Sequence, residues 1–261
     1  MARGRYPVID GLRVLGSVLR ARVFGARFPL TTVWNVTFRC NCQCDYCATG
    51  TVPGGELGTD EALQLLDDLA RLGTRWLTFS GGDPLVRADI GSLIRRALEK
   101  RVHVRISTNG ILVPEKIDDL RGVDAVSLSL DGPEDVHDRV RGTGTFRSVL
   151  AAIEACTAAG IPMNLKCTLN GHNLAATDEL LAMAAGWGLG VMFQPATSWL
   201  NFGTEANPVA PDVEQYRRTI QRLIDGKHNG APILNSLAGL RYLAHWPDPA
   251  KIPCLAGVLL W

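Results

Sequence analysis

The chain has 261 residues, of which 46% are hydrophobic and 20% charged, as is typical of one soluble globular domain with a sizeable core. Its 27 basic and 26 acidic residues leave a net charge of +1, so we expect no nucleic acid partner. No apolar run is long enough for a transmembrane segment, and no secretory signal is present. Seven cysteines, odd in number and mostly bunched, favour a reducing, cytoplasmic location over a disulfide framework.

Residues 1–30 combine six arginines with apolar side chains. Leu12, Leu15 and Leu19 follow helical spacing, which predicts a short N-terminal helix. We favour a helix that packs on the following domain and leaves its arginines in solvent. A surface helix that contacts anionic lipid or an acidic peptide is the alternative.

From residue 33 onward, predicted strands and helices alternate. Short β-branched and aromatic runs predict the strands, and apolar residues three and four apart predict the helices between them. The alternation favours a parallel α/β sheet of βα units, with right-handed crossovers that place the helices on one side. The predicted strands are residues 33–37, 76–80, 102–107, 125–130, 163–169 and 191–194, and the predicted helices are residues 59–72, 90–101, 114–121, 146–159, 174–186, 211–225 and 233–245.

Four of the seven cysteines fall within eight residues, directly after the first predicted strand. Cys40, Cys44 and Cys47 have the spacing CxxxCxxC, with which one loop can turn three thiolates toward one point. Four-iron clusters are normally closed by four cysteines, so three thiolates suit a cluster that keeps one iron open to a small molecule. Structural zinc and inert thiols are the alternatives, although zinc sites usually add a distant Cys or His pair.

This spacing resembles the signature of radical S-adenosylmethionine (SAM) enzymes. Tyr46 matches the aromatic residue that usually precedes the third cysteine, and it is a predicted cofactor contact. Cys42 stands where that family usually has an apolar residue, so we interpret it as a small apolar side chain. The resemblance implies a partial, TIM-like (βα)6 barrel with its chemistry at the carboxyl ends of the strands. It also implies that Cys40, Cys44 and Cys47 bind one 4Fe–4S cluster, whose open iron binds SAM.

Segments after the second and third strands resemble further motifs of this family. The sequence GGDP is similar to its GGEP-type motif, with Asp83 in place of glutamate. Glycines leave backbone groups bare, so a ligand can approach, and carbonyls beside a carboxylate suit the amino group of SAM. Short polar side chains at the end of the third strand can bind ribose hydroxyls or a carboxylate, and a tight turn is the alternative explanation. The predicted cofactor-binding residues here are Gly81, Gly82, Asp83, Pro84, Ser107 and Asn109.

The fourth and fifth strands add further candidates. Ser129 and Asp131 share one face of a segment that resembles the family's SLDG sequence; Ser129 is a predicted SAM contact, and Asp131 binds the cofactor or pins the turn. HDRVRG, beginning at His137, resembles the HDxxRG segment of the subfamily that often carries SPASM or twitch extensions. His137 is interpreted as an orienting or capping group. Arg141 contacts the SAM carboxylate or a substrate anion, or forms a structural ion pair, and Lys166 can point into the barrel as a ligand contact.

Beyond residue 195 the strand pattern ends in a loop and two predicted helices. The segment Pro253–Gly257 resembles the start of a twitch or SPASM extension, which would bring cysteines for a second cluster. Cys254 has no partner downstream, so we expect a lost extension or a shortened sequence, and one cluster per chain. The predicted division is an N-terminal helical extension (1–30), a core (31–195) and a C-terminal helical region (196–261).

The resemblance implies a radical mechanism. A low-potential electron donor of the flavodoxin or ferredoxin type reduces the cluster, SAM is cleaved reductively, and a 5′-deoxyadenosyl radical abstracts hydrogen from the substrate. The HDxxRG and CLAG segments favour a ribosomal peptide as that substrate. The alternatives are a small-molecule or lipid-precursor enzyme similar to the hopanoid-adenosylating branch, and a non-catalytic metal-binding barrel.

Overall fold

The computed structural model describes residues 29–52, 55–200 and 204–248, together with residue 16. Its main element is a parallel sheet of six strands in the order β1-β2-β3-β4-β5-β6, and each strand begins and ends within two residues of its predicted bounds. The strands are β1 (Thr31–Thr37), β2 (Trp76–Gly81), β3 (His103–Thr108), β4 (Ala125–Ser129), β5 (Met163–Leu169) and β6 (Val191–Pro195), and a separate antiparallel pair consists of β7 (Trp199–Leu200) and β8 (Glu205–Ala206).

Helices connect most of these strands, as the sequence predicts. The helices are α1 (Thr59–Leu72), α2 (Ile90–Glu99), α3 (Glu134–Arg141), α4 (Thr145–Ala159), α5 (Thr177–Gly186), α6 (Val213–His228) and α7 (Leu237–Leu243). The prediction of a helix over residues 114–121 is wrong, because the chain forms consecutive turns between β3 and β4. Lys116 N–H is shared between the carbonyl oxygens of Leu112 and Val113. Asp119 N–H and Arg121 N–H bond only three residues back, so tight turns replace a regular α-helical ladder.

Side chains of the sheet alternate between an apolar face and a polar face. The apolar face packs against the helices, and each fully buried large side chain on it contributes about 1.5–3 kcal/mol. The opposite face lines a cleft and carries hydroxyl, amino and amide groups. These groups can bind a polar ligand while the apolar face stays packed against the helices. Apolar-face residues that are at most 1% exposed include Leu77, Phe79, Ile106, Leu128, Leu165, Cys167 and Phe193. Cleft-facing residues include Ser80, Ser107, Ser129, Lys166 and Gln194.

Residues 232–235 close the outer edge of β6. Leu234 N–H donates to the Val191 carbonyl oxygen at 2.8 Å. The Asn235 side-chain amide then accepts from Phe193 N–H at 2.7 Å and donates to the Phe193 carbonyl oxygen at 2.9 Å. These two hydrogen bonds take the place of those that a neighbouring strand would make. This pairing holds the segment extended, which is why the helix predicted from residue 233 begins only at Leu237.

Two predictions concern the two ends of the chain. The N-terminal helix predicted over residues 1–30 and the Cys254 segment lie outside the described residues, except for residues 16, 29 and 30. The division at residues 30 and 195 stays a prediction. No helix in the described ranges is long and apolar enough to cross a membrane.

Candidate active site at the carboxyl ends of the strands

A cleft of about 210 Å³ lies where the strands end, and most of the predicted site residues line it. The cysteine loop after β1 meets polar side chains from the later strands there, as the topology of a parallel sheet requires. The predicted residues that line the cleft are Cys40, Cys44, Cys47, Tyr46, Gly81, Gly82, Ser107, Asn109, Ser129, Arg141 and Lys166. The remaining three, Asp83, Pro84 and Asp131, are buried and do not line it.

Arg87 holds both ends of the cysteine loop. Its side chain is only 4% exposed, and it donates to the carbonyl oxygens of Val36, before the loop, and Leu57, after it, at 3.0 and 3.1 Å. Both carboxylate oxygens of Asp89 accept from the same guanidinium, at 2.8 and 2.7 Å. The planar fork of arginine makes four directed bonds here, so the span of the loop is fixed.

Inside the loop, backbone bonds set the direction of the cysteines. Cys47 N–H donates to the Cys44 carbonyl oxygen at 3.0 Å, which forms a tight turn between these two residues. Asp45 N–H donates to the Val140 carbonyl oxygen at 3.0 Å and so ties the loop to the end of α3. The loop is therefore attached both to β1 and to the helix that follows β4.

Gly81 and Gly82 allow the backbone of residues 37–39 to approach closely, which the sequence does not reveal. A Cβ on Gly81 would overlap the Thr37 carbonyl oxygen, and a Cβ on Gly82 would overlap that of Arg39 and lie 2.7 Å from that of Phe38. Gly81 also has φ +126°, which favours glycine. Gly82 N–H donates to Thr37 and Asp83 N–H donates to Arg39, each at 2.9 Å. We predicted that the space beside these glycines is open to a ligand. Part of it is occupied by the backbone that leads into the cysteine loop, although both glycines still line the cleft.

Asp83 organises the end of β3 from behind the wall of the cleft. The residue is 1% exposed, and its carboxylate accepts from Leu85 N–H, Thr108 Oγ1–H and Asn109 N–H at 2.7–2.9 Å. Burial raises its pKa above the ordinary value, and these three donors oppose that shift. Asn109 in turn donates from Nδ2 to Asn41 Oδ1 at 2.7 Å and lies 3.8 Å from Cys40 Sγ. Asp83 therefore positions an amide against the first cysteine, and its role as a SAM contact stays a prediction.

Asp131, Arg141 and Tyr46 form a buried network on the other side of the loop. Asp131 is fully enclosed and accepts from Arg141 Nε at 2.6 Å, Tyr46 OH at 3.0 Å and Thr168 N–H at 2.8 Å. Arg141 Nη2 donates to Tyr46 OH, and Nη1 lies 3.7 Å from Cys44 Sγ. Of the roles predicted for Arg141, the structure shows the ion pair. Contacts of Asp131, Arg141 and Tyr46 with SAM stay predictions.

His137 supports this network from the first turn of α3. Its Nδ1 accepts from Asp131 N–H at 3.1 Å, and its ring packs edge-on against Phe146 at a centroid distance of 6.1 Å. Burial, with Arg141 nearby, lowers its pKa to about 4, although Asp131 and Asp138 oppose that shift. The imidazole is therefore neutral at pH 7 and acts as an acceptor that fixes the turn after β4, which agrees with the orienting role that we predicted.

Cys42 is not the apolar filler that we expected. Its Sγ donates to the Arg141 carbonyl oxygen at 2.9 Å and lies 3.6 Å from Cys44 Sγ. The fourth thiol of the loop is thus a polar link to α3. Cys42 also lines the cleft, beside the three predicted ligands.

Sequence reasoning predicted Lys166 but missed two cleft residues beside it, Thr168 on β5 and Gln194 on β6. Lys166 faces the cleft with Nζ 3.4 Å from Ser107 Oγ, and burial, followed by the charge of Arg141, lowers its pKa. Thr168 and Gln194 also line the cleft, and Gln194 Nε2 donates to Thr168 Oγ1 at 3.2 Å. Strand alternation places Lys166 and Thr168 on the same face of β5. The prediction that Lys166 faces the cleft therefore implies the same for Thr168.

A family comparison agrees with this geometry. The family model described as the radical SAM superfamily matches residues 34–184, which is more than half of the chain. The chain belongs to the radical SAM superfamily. Radical SAM proteins bind a 4Fe–4S cluster and SAM, and the matched residues include the cysteine loop, the GGDP turn, the SLDG segment and Lys166.

Individual radical SAM relatives have varied products. The chain is 37% identical over 164 residues to the AdoMet-dependent heme synthase of Methanosarcina barkeri, covering 60% of this chain and 47% of the relative. It is 33% identical over 171 residues to the mycofactocin maturase MftC of Mycobacterium tuberculosis (63% and 44%) and 32% identical over 168 residues to the PqqA peptide cyclase of Granulibacter bethesdensis (61% and 45%). The matched part of this radical SAM chain spans about half the length of these relatives.

Solved radical SAM structures share the fold. Streptococcus suis SuiB, bound to its precursor peptide SuiA, superposes with a TM-score of 0.70 at 15% identity, covering 88% of this chain and 54% of that chain. At this identity the likeness concerns the fold alone. It confirms the partial (βα)6 barrel that the sequence predicts.

The residues present fit the cofactors of a radical SAM protein. Three cysteines line one cleft together with amide, hydroxyl and amino groups, and none of the six described cysteines is in a disulfide. Three thiolates match a 4Fe–4S cluster with one open iron, and polar donors match the hydroxyls and carboxylate of SAM. Within the described ranges, no group of three or more His, Cys, Asp or Glu residues could hold a single metal ion.

Proposed function

We propose that this protein is a radical SAM enzyme that abstracts hydrogen from an uncharged segment of a peptide. The observation that carries the proposal is a second groove, of about 280 Å³, which adjoins the cleft. Every described residue that lines this neutral groove is uncharged: Tyr46, Cys47, Ala48, Thr49, Val52, Thr168, Gln194, Pro195, Ala196, Thr197, Trp199 and Leu200.

The neutral groove and the cleft share residues, so a molecule in the groove lies beside the cofactor site. Cys47, Tyr46 and Thr49 line both spaces, as do Thr168 and Gln194 on β5 and β6. Trp199 stands at the groove and is 58% exposed, which leaves an aromatic surface for an apolar or aromatic side chain. A substrate bound there would reach toward the cysteine loop without entering the cleft itself.

In this proposal, Cys40, Cys44 and Cys47 hold the cluster, and the cleft binds SAM. When bound, the two cofactors supply a 5′-deoxyadenosyl radical, the species that removes hydrogen from the substrate. Asn109, Ser107 and Ser129 offer amide and hydroxyl groups for the polar parts of SAM, and Lys166 offers a cation for a carboxylate. The chain's remaining contribution is to hold these groups still and to enclose the reaction.

A peptide fits the neutral groove better than a tetrapyrrole does. Tetrapyrroles such as coproporphyrin carry several carboxylates, which proteins usually meet with Arg or Lys. The described residues of the groove include neither. A peptide backbone is neutral and needs only hydrogen bonds and apolar contacts. The similarity to PqqA peptide cyclase supports this choice, whereas the similarity to the heme synthase favours the rival.

We infer further that the electron donor is a low-potential protein of the flavodoxin or ferredoxin type and that the enzyme works in the cytoplasm. Four free thiols within eight residues support a reducing compartment. The one-electron reduction of a 4Fe–4S cluster requires a donor of low potential.

Anaerobic reconstitution tests the chemistry. Wild-type protein is expected to bind about four irons per chain, to bleach with dithionite, and to release 5′-deoxyadenosine from SAM. Cys44→Ala should lose all three properties. Cys156→Ala, which removes a buried thiol on α4 outside the cleft, is the matched control and should keep them. A wild-type protein that stays colourless and free of iron would refute the proposal.

Stimulation of 5′-deoxyadenosine release tests the substrate class. Short uncharged peptides are expected to stimulate release, and coproporphyrin III is not. Trp199→Ala should raise the half-maximal peptide concentration several-fold, because it removes the exposed aromatic surface of the groove. Leu72→Ala removes an equally exposed apolar side chain on α1, outside the groove, and should change nothing. Stimulation by coproporphyrin alone would favour the tetrapyrrole rival.

A further inference from the structure

The contact between Arg141 and Cys44 has a consequence for the cluster itself. The Arg141 side chain is 8% exposed, and its Nη1 lies 3.7 Å from Cys44 Sγ, within the range of an N–H···S hydrogen bond. No other described residue places a cationic side chain within hydrogen-bonding distance of a thiol of the cysteine loop. Cys44 is thus the one predicted ligand that faces a buried positive charge.

The remaining contacts of Arg141 hold this group in place. Nε donates to Asp131 at 2.6 Å, Nη2 donates to Tyr46 OH, and the guanidinium carbon lies 5.4 Å from the Tyr46 ring centroid. Asp131 is fixed in turn by Thr168 N–H at 2.8 Å. The Cys42 Sγ–H bond to the Arg141 carbonyl oxygen fixes the backbone of the same residue. The guanidinium therefore has little freedom to move away from Cys44.

A fixed cation and hydrogen-bond donor beside a ligating thiolate alter the energetics of reduction. One added electron increases the negative charge on the cluster and its sulfurs, and a nearby positive charge stabilises that state more than the oxidised one. Asp131 offsets part of this charge, but it lies on the Nε side of the guanidinium, whereas Nη1 faces the sulfur. The orientation leaves the positive end of the pair toward Cys44.

We propose that Arg141 sets the reduction potential of the cluster by donating to the Cys44 thiolate, and that Asp131 and Tyr46 hold it in that position. Arg141 is thus a positioning residue that makes the cluster easier to reduce by one electron from a low-potential donor. The inference rests on the proposed function, because it assumes that Cys44 is a cluster ligand. It assigns the buried face of Arg141 to the cluster rather than to SAM.

The test is a redox titration of the reconstituted holoenzyme, followed by electron paramagnetic resonance of the reduced cluster. Arg141→Gln is expected to lower the ratio of reduced to oxidised cluster about tenfold at a fixed potential, because a charged hydrogen bond is lost. For a one-electron couple this is a shift of about 59 mV to a more negative potential. Arg141→Lys, which keeps the charge, should shift the potential less.

Arg139→Gln is the matched control. It removes an arginine from the same turn of α3, but Arg139 is exposed, so the potential should not change. If Arg141→Gln fails to fold because Asp131 is left unpaired, Asp131→Asn combined with Arg141→Gln replaces the ion pair by a neutral amide pair and should show a shift in the same direction.

The two proposals fail in different ways. A wild-type protein without a cluster overturns the proposed function. A wild-type protein with a cluster, together with an Arg141→Gln variant whose iron content and midpoint potential equal those of the wild type, overturns this inference alone.

Discussion

The buried guanidinium of Arg87 donates to the carbonyl oxygen of Val36 at 3.0 Å, at the point where β1 gives way to the cysteine loop. The same side chain donates to Leu57, where the chain leaves the loop, and to both oxygens of Asp89. One residue from the β2–α2 connection thus fixes the distance between the two ends of the loop. The position of the cysteines depends on a side chain that touches none of them.

Arg87→Met is expected to lower both the stability and the iron content. Removing the guanidinium breaks the ion pair with Asp89, which keeps only the Thr59 hydroxyl as a side-chain donor, and removes the arginine donor of two carbonyl oxygens, at a cost of about 3 kcal/mol. For a domain of this size the melting temperature should fall by about 6–12 °C. Thermal unfolding and iron analysis measure both effects.

Arg95→Met is the control for this prediction. Arg95 lies on α2 with its side chain 62% exposed, so its loss should change the melting temperature by less than about 2 °C. If Arg87→Met melted as the wild type does and bound as much iron, the loop would not depend on Arg87.

The sequence predicts the sheet well because its evidence is local. Strand alternation and turn residues lie within a few positions of one another, and all six strands are confirmed. Asn235, by contrast, pairs with Phe193 across 42 positions, and no local pattern shows that such a side chain will extend a sheet edge. The helix predicted from residue 233 fails for that reason.

The site shows the same limit. The sequence names most of the residues that line the cleft, since they stand at strand ends. It does not show that the backbone of Arg39, 43 residues earlier, packs directly against Gly82 and leaves no room for a side chain there. Nor does it show that Arg141 forms an ion pair with Asp131. Whether a charged residue meets a ligand or another side chain depends on packing between distant segments, which spacing alone does not encode.

The four cysteines of the loop are expected to differ in their effect on metal binding. Cys40→Ala, Cys44→Ala and Cys47→Ala should each bind much less iron than the wild type. Cys42→Ala should still bind about four irons per chain, because its thiol donates to the Arg141 carbonyl oxygen. Iron and sulfide analysis after anaerobic reconstitution gives the comparison. Loss of iron in Cys42→Ala, with retention in Cys47→Ala, would assign the ligands differently.

The buried His137 predicts a dependence of stability on pH. The folded protein keeps this imidazole neutral down to a pKa of about 4, whereas the unfolded chain binds a proton at about 6.5. Between these values the unfolded state holds more protons, so the free energy of unfolding falls as the pH falls. The expected loss from this residue is about 2 kcal/mol between pH 6.5 and pH 5, and about 3 kcal/mol down to pH 4.

His137→Asn removes the titrating ring and keeps an oxygen that can accept from Asp131 N–H. Urea unfolding at several pH values compares its slope with that of the wild type. Above pH 7 the variant is expected to be less stable, because it loses the packing on Phe146. Below pH 6.5 the gap should narrow. Parallel curves for the two proteins over the whole range would show that His137 does not stay neutral in the fold.

Gly82→Ala tests the approach of the GGDP turn to the cysteine loop. The added methyl group would overlap the Arg39 carbonyl oxygen and lie 2.6 Å from the carbon of that carbonyl and 2.7 Å from the Phe38 carbonyl oxygen. All of these atoms belong to the backbone, so the loop must move as a unit, and overpacking of this kind typically costs about 1–3 kcal/mol. We expect a lower melting temperature and a marked loss of iron, measured on protein reconstituted in parallel with the wild type.

Gly186→Ala is the control for this prediction. It lies at the end of α5, adds its methyl group to open space and should be neutral or slightly stabilising. Full iron content in Gly82→Ala would mean that the close approach of the two segments is not needed to hold the cluster ligands in place.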